Sequence, residues 1–221
     1  MSAADRAGAV LEIDLAAIVA NWRSLCAQHP SGPVAGVVKA DGYGLGARRV
    51  AAALYQAGCR HFFVALLDEA LELRDLLPDA MLAVLGGLVA GSEADYRAHR
   101  IVPALGSLRE IETWTAVARS SGRALPAMLH IDTGMSRLGL DARELATLQR
   151  DHARLAGIDL RYVMTHLVAS EAQSSPRNMP DELAKLRGAG GSPAQAAAKR
   201  SSCRRFSESA ATSDATRCVI T

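Results

Sequence analysis

The stretch VVKADGYGLG, residues 37–46, ends an apolar run on a lysine and follows it with small residues, three glycines and one tyrosine. An amine at the mouth of an apolar core is costly unless water or a partner receives it. Lys39 therefore either begins a solvated loop or has work to do there. The same stretch separates two parallel α/β architectures. A dinucleotide-binding fold carries GxGxxG at its first strand-to-helix turn, where bare backbone must approach a pyrophosphate. GYGLG lacks that spacing, and Lys39 stands in the way.

Outward from this turn, short apolar runs alternate with amphipathic stretches between about residues 11 and 170. The runs are PVAGVVK (33–39), HFFVAL (61–66), MLAVLGG (81–87), RIVPAL (100–105), PAMLHID (126–132) and LRYVMTH (160–166). Most are continuously apolar, as expected of strands covered on both faces. In 14–27, Leu15, Ile18, Val19, Trp22, Leu25 and Cys26 share one helical face. Ser107 with Glu110, and Asp141 with Glu144, read as capping pairs that open two further helices. Strand and helix in alternation mean parallel βα units. The fold class is α/β, a (β/α)8 TIM-type barrel. Six strands are legible where a closed barrel needs eight, so the barrel is expected to be incomplete.

Residues 188–221 change in character: they are rich in Ser, Ala, Gly and Arg, and Phe206, Val219 and Ile220 are their only large apolar residues. Composition predicts disorder there. The expected organisation is an N-terminal segment (1–10), a partial barrel (11–187) and this tail (188–221). The 49% hydrophobic and 22% charged content suits a globular chain, and a net charge of +2 gives no case for a nucleic-acid or membrane surface. The N-terminus has no secretion-signal pattern and no apolar run reaches membrane-spanning length. Cys26, Cys59, Cys203 and Cys218 form no CxxC pair and no zinc spacing, so no metal is expected and a reduced, cytoplasmic setting is.

In parallel α/β folds, ligands gather at the C-terminal ends of strands. Lys39 with Tyr43, the Asp68–Glu69 pair, Asp132 to Arg137, and His166 all fall there. Asp68 and Glu69 read as the acidic first turn of a helix, favoured by its dipole. A desolvated lysine becomes a nucleophilic amine fit for a Schiff base. An arginine such as Arg137 can hold a carboxylate in two-pronged fashion. The plain alternatives are a surface arginine paired with an acid and a histidine that merely caps a strand. Spacing leaves both a Schiff-base aldolase and a pyridoxal-phosphate (PLP) enzyme open.

Taken together, LEIDLAAIVANWRSL (11–25), VVKADGYGLG, HIDTGMSRLGL (130–140) and MTHLVASE (164–171) resemble the alanine racemase family of fold-type III PLP enzymes. The resemblance covers roughly residues 10–187. It implies that Lys39 forms a Schiff base with PLP and serves as one of two catalytic bases. It further implies that Tyr43 binds the cofactor phosphate and that His166 packs on the pyridine ring. Arg137 would meet the phenolic oxygen and the substrate carboxylate. The implied reaction is interconversion of L- and D-alanine, supplying D-alanine for peptidoglycan, by a homodimer. The second base in the family is a tyrosine from the partner's C-terminal β-domain, and no such domain is expected in this sequence. Leu45 replaces a frequent histidine, and His130 stands where many members carry a carbamylated lysine. Three outcomes are therefore framed: an alanine racemase, an inactive fragment with weak PLP binding, or another fold-type III PLP enzyme. The tail also admits a shifted reading frame, in which Thr216 to Thr221 becomes Pro-Gly-Ala-Ser-Leu, close to a family segment. An insertion or deletion near Gly188 in the coding DNA is the expectation.

Overall fold

All six apolar runs become strands, because each buries one face under helices and the other against neighbouring strands' inner side chains. The computed structural model describes residue 6, residues 8–30 and residues 32–166. The expectations for 167–187 and for the tail at 188–221 lie outside the described residues. The strands are β1 (Gly36–Val37), β2 (His61–Val64), β3 (Met81–Val84), β4 (Ile101–Leu105), β5 (Leu125–His130) and β6 (Ile158–Met164). They form one sheet in sequential order, every neighbouring pair parallel. Sequential order with a helical crossover at each step is the TIM-barrel pattern.

The helices are α1 (Leu15–Gln28), α2 (Lys39–Tyr43), α3 (Ala47–Gln56), α4 (Leu67–Leu73), α5 (Glu93–Ala98), α6 (Leu108–Ser121) and α7 (Ala142–Arg150), with a 3-10 turn at His152–Leu155. Asp14 caps α1 through Ala16 and Ala17, and the Ser107 hydroxyl accepts from Glu110 N. Asp141 accepts from Arg143 and Glu144 while Glu144 accepts in return from Asp141 N, a full capping box. The amphipathic face of α1 is narrower than its spacing predicts. Leu15, Ile18, Val19 and Trp22 pack on the core, but Leu25 is 53% exposed.

Alternation along each strand divides the apolar residues into two layers. Phe62, Val64, Leu82, Leu105, Leu125 and Leu129 belong to the layer shared with the helices. Phe63, Ala83, Val102, Ala104, Met128 and Met164 form a second, inner cluster. The inner side is concave. Laid flat, β2 and β6 would stand four strand spacings apart, about 19 Å, more than a tyrosine and a histidine can bridge. Yet Tyr162 on β6 and His61 on β2 share a hydrogen bond of 2.8 Å, their rings edge to face. The sheet is therefore a strongly curled arc of barrel wall, and its strand ends converge on one rim.

Candidate active site

Lys39 follows Ala35 and Val37, both packed with the inner cluster, at the two-residue spacing of a strand's inner face. It is half-buried, and it is the one lysine among the described residues. Arginine does not give up its proton at any physiological pH, so Lys39 is their only side-chain amine able to act as a nucleophile. Val38 N donates to Phe63 O at 2.9 Å, which continues the β1–β2 pairing to the residue before the lysine.

What comes next was not legible in the sequence. The α2 turn is left-handed: Ala40, Asp41, Gly42 and Tyr43 have φ of 52°, 52°, 64° and 58°. Each non-glycine residue there costs roughly 1–2 kcal/mol against the right-handed conformation. Gly42 also suits the close packing of the turn, since a Cβ would sit a tight 3.2 Å from the Ala47 backbone. Hydrogen bonds hold the turn: Gly42 N to Val38 O, Gly44 N to Ala40 O and Gly46 N to Asp41 O. Ala47 N, at the start of α3, donates to Asp41 Oδ1 at 2.7 Å. The outcome is that Lys39 Nζ lies 5.8 Å from the centre of the Tyr43 ring, at cation–π range. Tyr43 is 61% exposed. Leu45 packs against the outer core.

At the other end of the arc, the 132–139 loop folds back on β5. Leu140 N donates to His130 O and Asp132 N to Leu140 O, making a bridge between Ile131 and Leu140. Gly139 permits the pinch: its φ is +110°, and a Cβ would lie 2.7 Å from Asp132 N. Asp132 Oδ1 accepts from Gly134 N and Ser136 N. Burial works to raise the Asp132 pKa, but those backbone donors and His130 outweigh it and hold the carboxyl below its usual range. Thr133 and Thr165, both buried, share a hydroxyl hydrogen bond of 2.7 Å that ties the loop to the end of β6. His130, Asp132, Met135, Arg137, Leu138 and His166 then line one recess. Burial lowers the His130 pKa, and the nearby positive charges of His166 and Arg137 add to this against the pull of Asp132.

The sequence-read residues thus form two groups on the rim, Lys39 with Tyr43 after β1 and Arg137 with His166 after β5 and β6. Asp68 and Glu69 do open α4. Glu69 also does something that spacing did not announce: its Oε2 accepts from Ala65 N and Leu66 N, while Oε1 accepts from Ala40 N at 2.6 Å.

A parallel barrel wall with its strands in sequential order, and a lysine just past its first strand, defines the class of this protein as a TIM-type α/β barrel. Comparison makes it specific: residues 13–219 match the family model described as alanine racemase, N-terminal domain, and the chain belongs to that family. It is 52% identical to the alanine racemase of Acidiphilium cryptum over 168 residues, covering 76% of this chain and 46% of the relative. Identity to the alanine racemase of Brucella ovis is 46% over 181 residues, again covering 46% of the relative. Among solved structures, the Bartonella henselae alanine racemase, determined with covalently bound pyridoxal phosphate, superposes with a TM-score of 0.75. The identity is 40%, over 81% of this chain and 52% of that one. The chain spans about half the length of the curated relatives it matches. No helix among the described residues is long and apolar enough to cross a membrane.

Proposed function

We propose that this chain binds pyridoxal 5′-phosphate at Lys39 and serves the interconversion of L- and D-alanine, the source of D-alanine for peptidoglycan. The observation that carries this reading is Lys39 itself: the one lysine among the described residues, half-buried just past the first barrel strand and backed by a turn held in a costly conformation. The donor set suits a phosphorylated aldehyde, with a primary amine, a phenol, a guanidinium and an imidazole on one rim. Bound there, the cofactor supplies the electron sink that makes a Cα proton removable. Lys39 would attach the cofactor and then take or return that proton on one face. The Tyr43 hydroxyl would receive the phosphate. Arg137 would orient the substrate carboxylate, and His166 would pack against the ring. Proton return on the opposite face needs a second acid–base group. We assign it, with the family resemblance, to a tyrosine of a C-terminal domain in a dimeric partner.

The chain has three lysines, Lys39, Lys185 and Lys199, which makes the test clean. After incubation with PLP, borohydride reduction and peptide mapping, the label should fall on Lys39. Equal labelling of all three would remove the assignment. Because the chain spans half of its relatives, a second reading stands beside the first: a PLP-binding module without turnover. Rescue of a D-alanine auxotroph by this chain alone decides for the racemase; labelled Lys39 without rescue decides for the module.

A further inference from the structure

The left-handed turn behind Lys39 is secured chiefly from within residues 38–47, with one long-range exception. Glu69, 29 residues away on α4, accepts the Ala40 amide at 2.6 Å. Its other carboxylate oxygen is occupied by Ala65 N at 2.7 Å and Leu66 N at 3.0 Å, the local cap of its own helix. Capping α4 does not require the contact with Ala40. Two units along, the arrangement recurs. Glu110 on α6 accepts from Gly106 N beside its own helix start and from Leu88 N in the loop after β3. Glu144 on α7 accepts from Asp141 N and from Leu108 N at the head of α6. In each case a glutamate in the first turn of a helix uses one oxygen locally and one on the backbone of an earlier βα unit.

From this we infer that Glu69 is the positioning residue of the Lys39 amine: it fixes the first amide after the lysine, and with it the start of the left-handed turn. The inference rests on the reading of Lys39 as the cofactor-binding amine, and its test separates the two. Glutamine has a single acceptor oxygen, so Glu69→Gln must turn an NH2 toward a backbone N–H on one side or the other. Glu69→Asp keeps the charge in the first turn of α4 but is one methylene too short to reach Ala40. Glu110→Gln breaks the same kind of link away from the lysine and serves as the comparison.

In the full chain, amide exchange at Ala40 is followed together with the rate of PLP labelling at Lys39, with Lys185 and Lys199 as internal standards. Glu69→Asp should speed Ala40 exchange at least about fivefold, as expected for loss of one charge-assisted hydrogen bond, and should slow labelling of Lys39 by about the same factor, with labelling of the other two lysines unchanged. Glu69→Gln should speed exchange on the side its NH2 faces, at Ala40 or at Ala65 and Leu66, and slow Lys39 labelling only in the first case. Glu110→Gln should alter neither. Wild-type exchange at Ala40 in Glu69→Asp, or equal losses in Glu110→Gln, overturns the inference. If the wild-type chain does not label at Lys39, the cofactor reading fails, and Ala40 exchange alone still decides whether Glu69 holds the turn.

Discussion

His130 is the residue whose chemistry departs furthest from its surroundings. Only 5% exposed, it has its pKa pushed below the ordinary imidazole value, chiefly by burial and further by its neighbours His166 and Arg137. The unfolded chain therefore takes up a proton first as pH falls through about 6.5, and folding loses stability from that point down toward the depressed pKa. Urea midpoints for the protein should drop between pH 7.5 and 5.5, and the drop should shrink in His130→Gln. An equal drop in both would clear His130 of the effect. The positions of Lys39, Tyr43, Arg137 and His166 past the ends of apolar runs were legible in the sequence; their roles are what we propose above. The handedness of the Lys39–Tyr43 turn was not. No periodicity distinguishes a left-handed turn from a loop when only one of its four residues, Gly42, is a glycine. The reach of Glu69 was hidden for a different reason: its cap lies next to it in sequence, but Ala40 does not.

Among the elements, the helix starts at Ser107 and Asp141 were the most readable, since caps are local chemistry: each accepts the amide its position implies. The first strand was overread in length. The run at 33–39 yields a two-residue β1, because Val38 leads directly into the left-handed turn and the residues before Gly36 meet α1 instead, where Trp22 Nε1 donates to Val34 O. The element on which most rests is α6. Trp114 is 1% exposed, stands edge to face with Tyr96 and donates from its indole to Pro126 O. Trp114→Ala removes that buried volume and should cost about 3–5 kcal/mol of unfolding free energy. A chemical-denaturation series against wild type measures it; a loss under about 1 kcal/mol would mean that the site relaxes around the cavity.

For the molecule as a whole, the order of the strands could be read from the alternation of runs, but the curvature could not, because nothing in one run records which distant run faces it. The His61–Tyr162 contact is what reports the curl. Tyr162→Phe keeps the ring and deletes the hydroxyl, and should lower stability by about 1 kcal/mol, read as a shift in the urea midpoint. No change would mean that water replaces the hydroxyl without loss at that end of the arc. The glutamate links have a consequence for rebuilding such a molecule from pieces of its relatives. Each draws on a backbone N–H, which every residue but proline supplies, so the receiving loop can be exchanged without matching its side chains. The donated carboxylate cannot. A chimaera joined between Ala40 and Glu69 should tolerate a foreign lysine loop so long as the recipient half brings its own glutamate, which makes position 69, rather than the loop, the place where the two parents must agree.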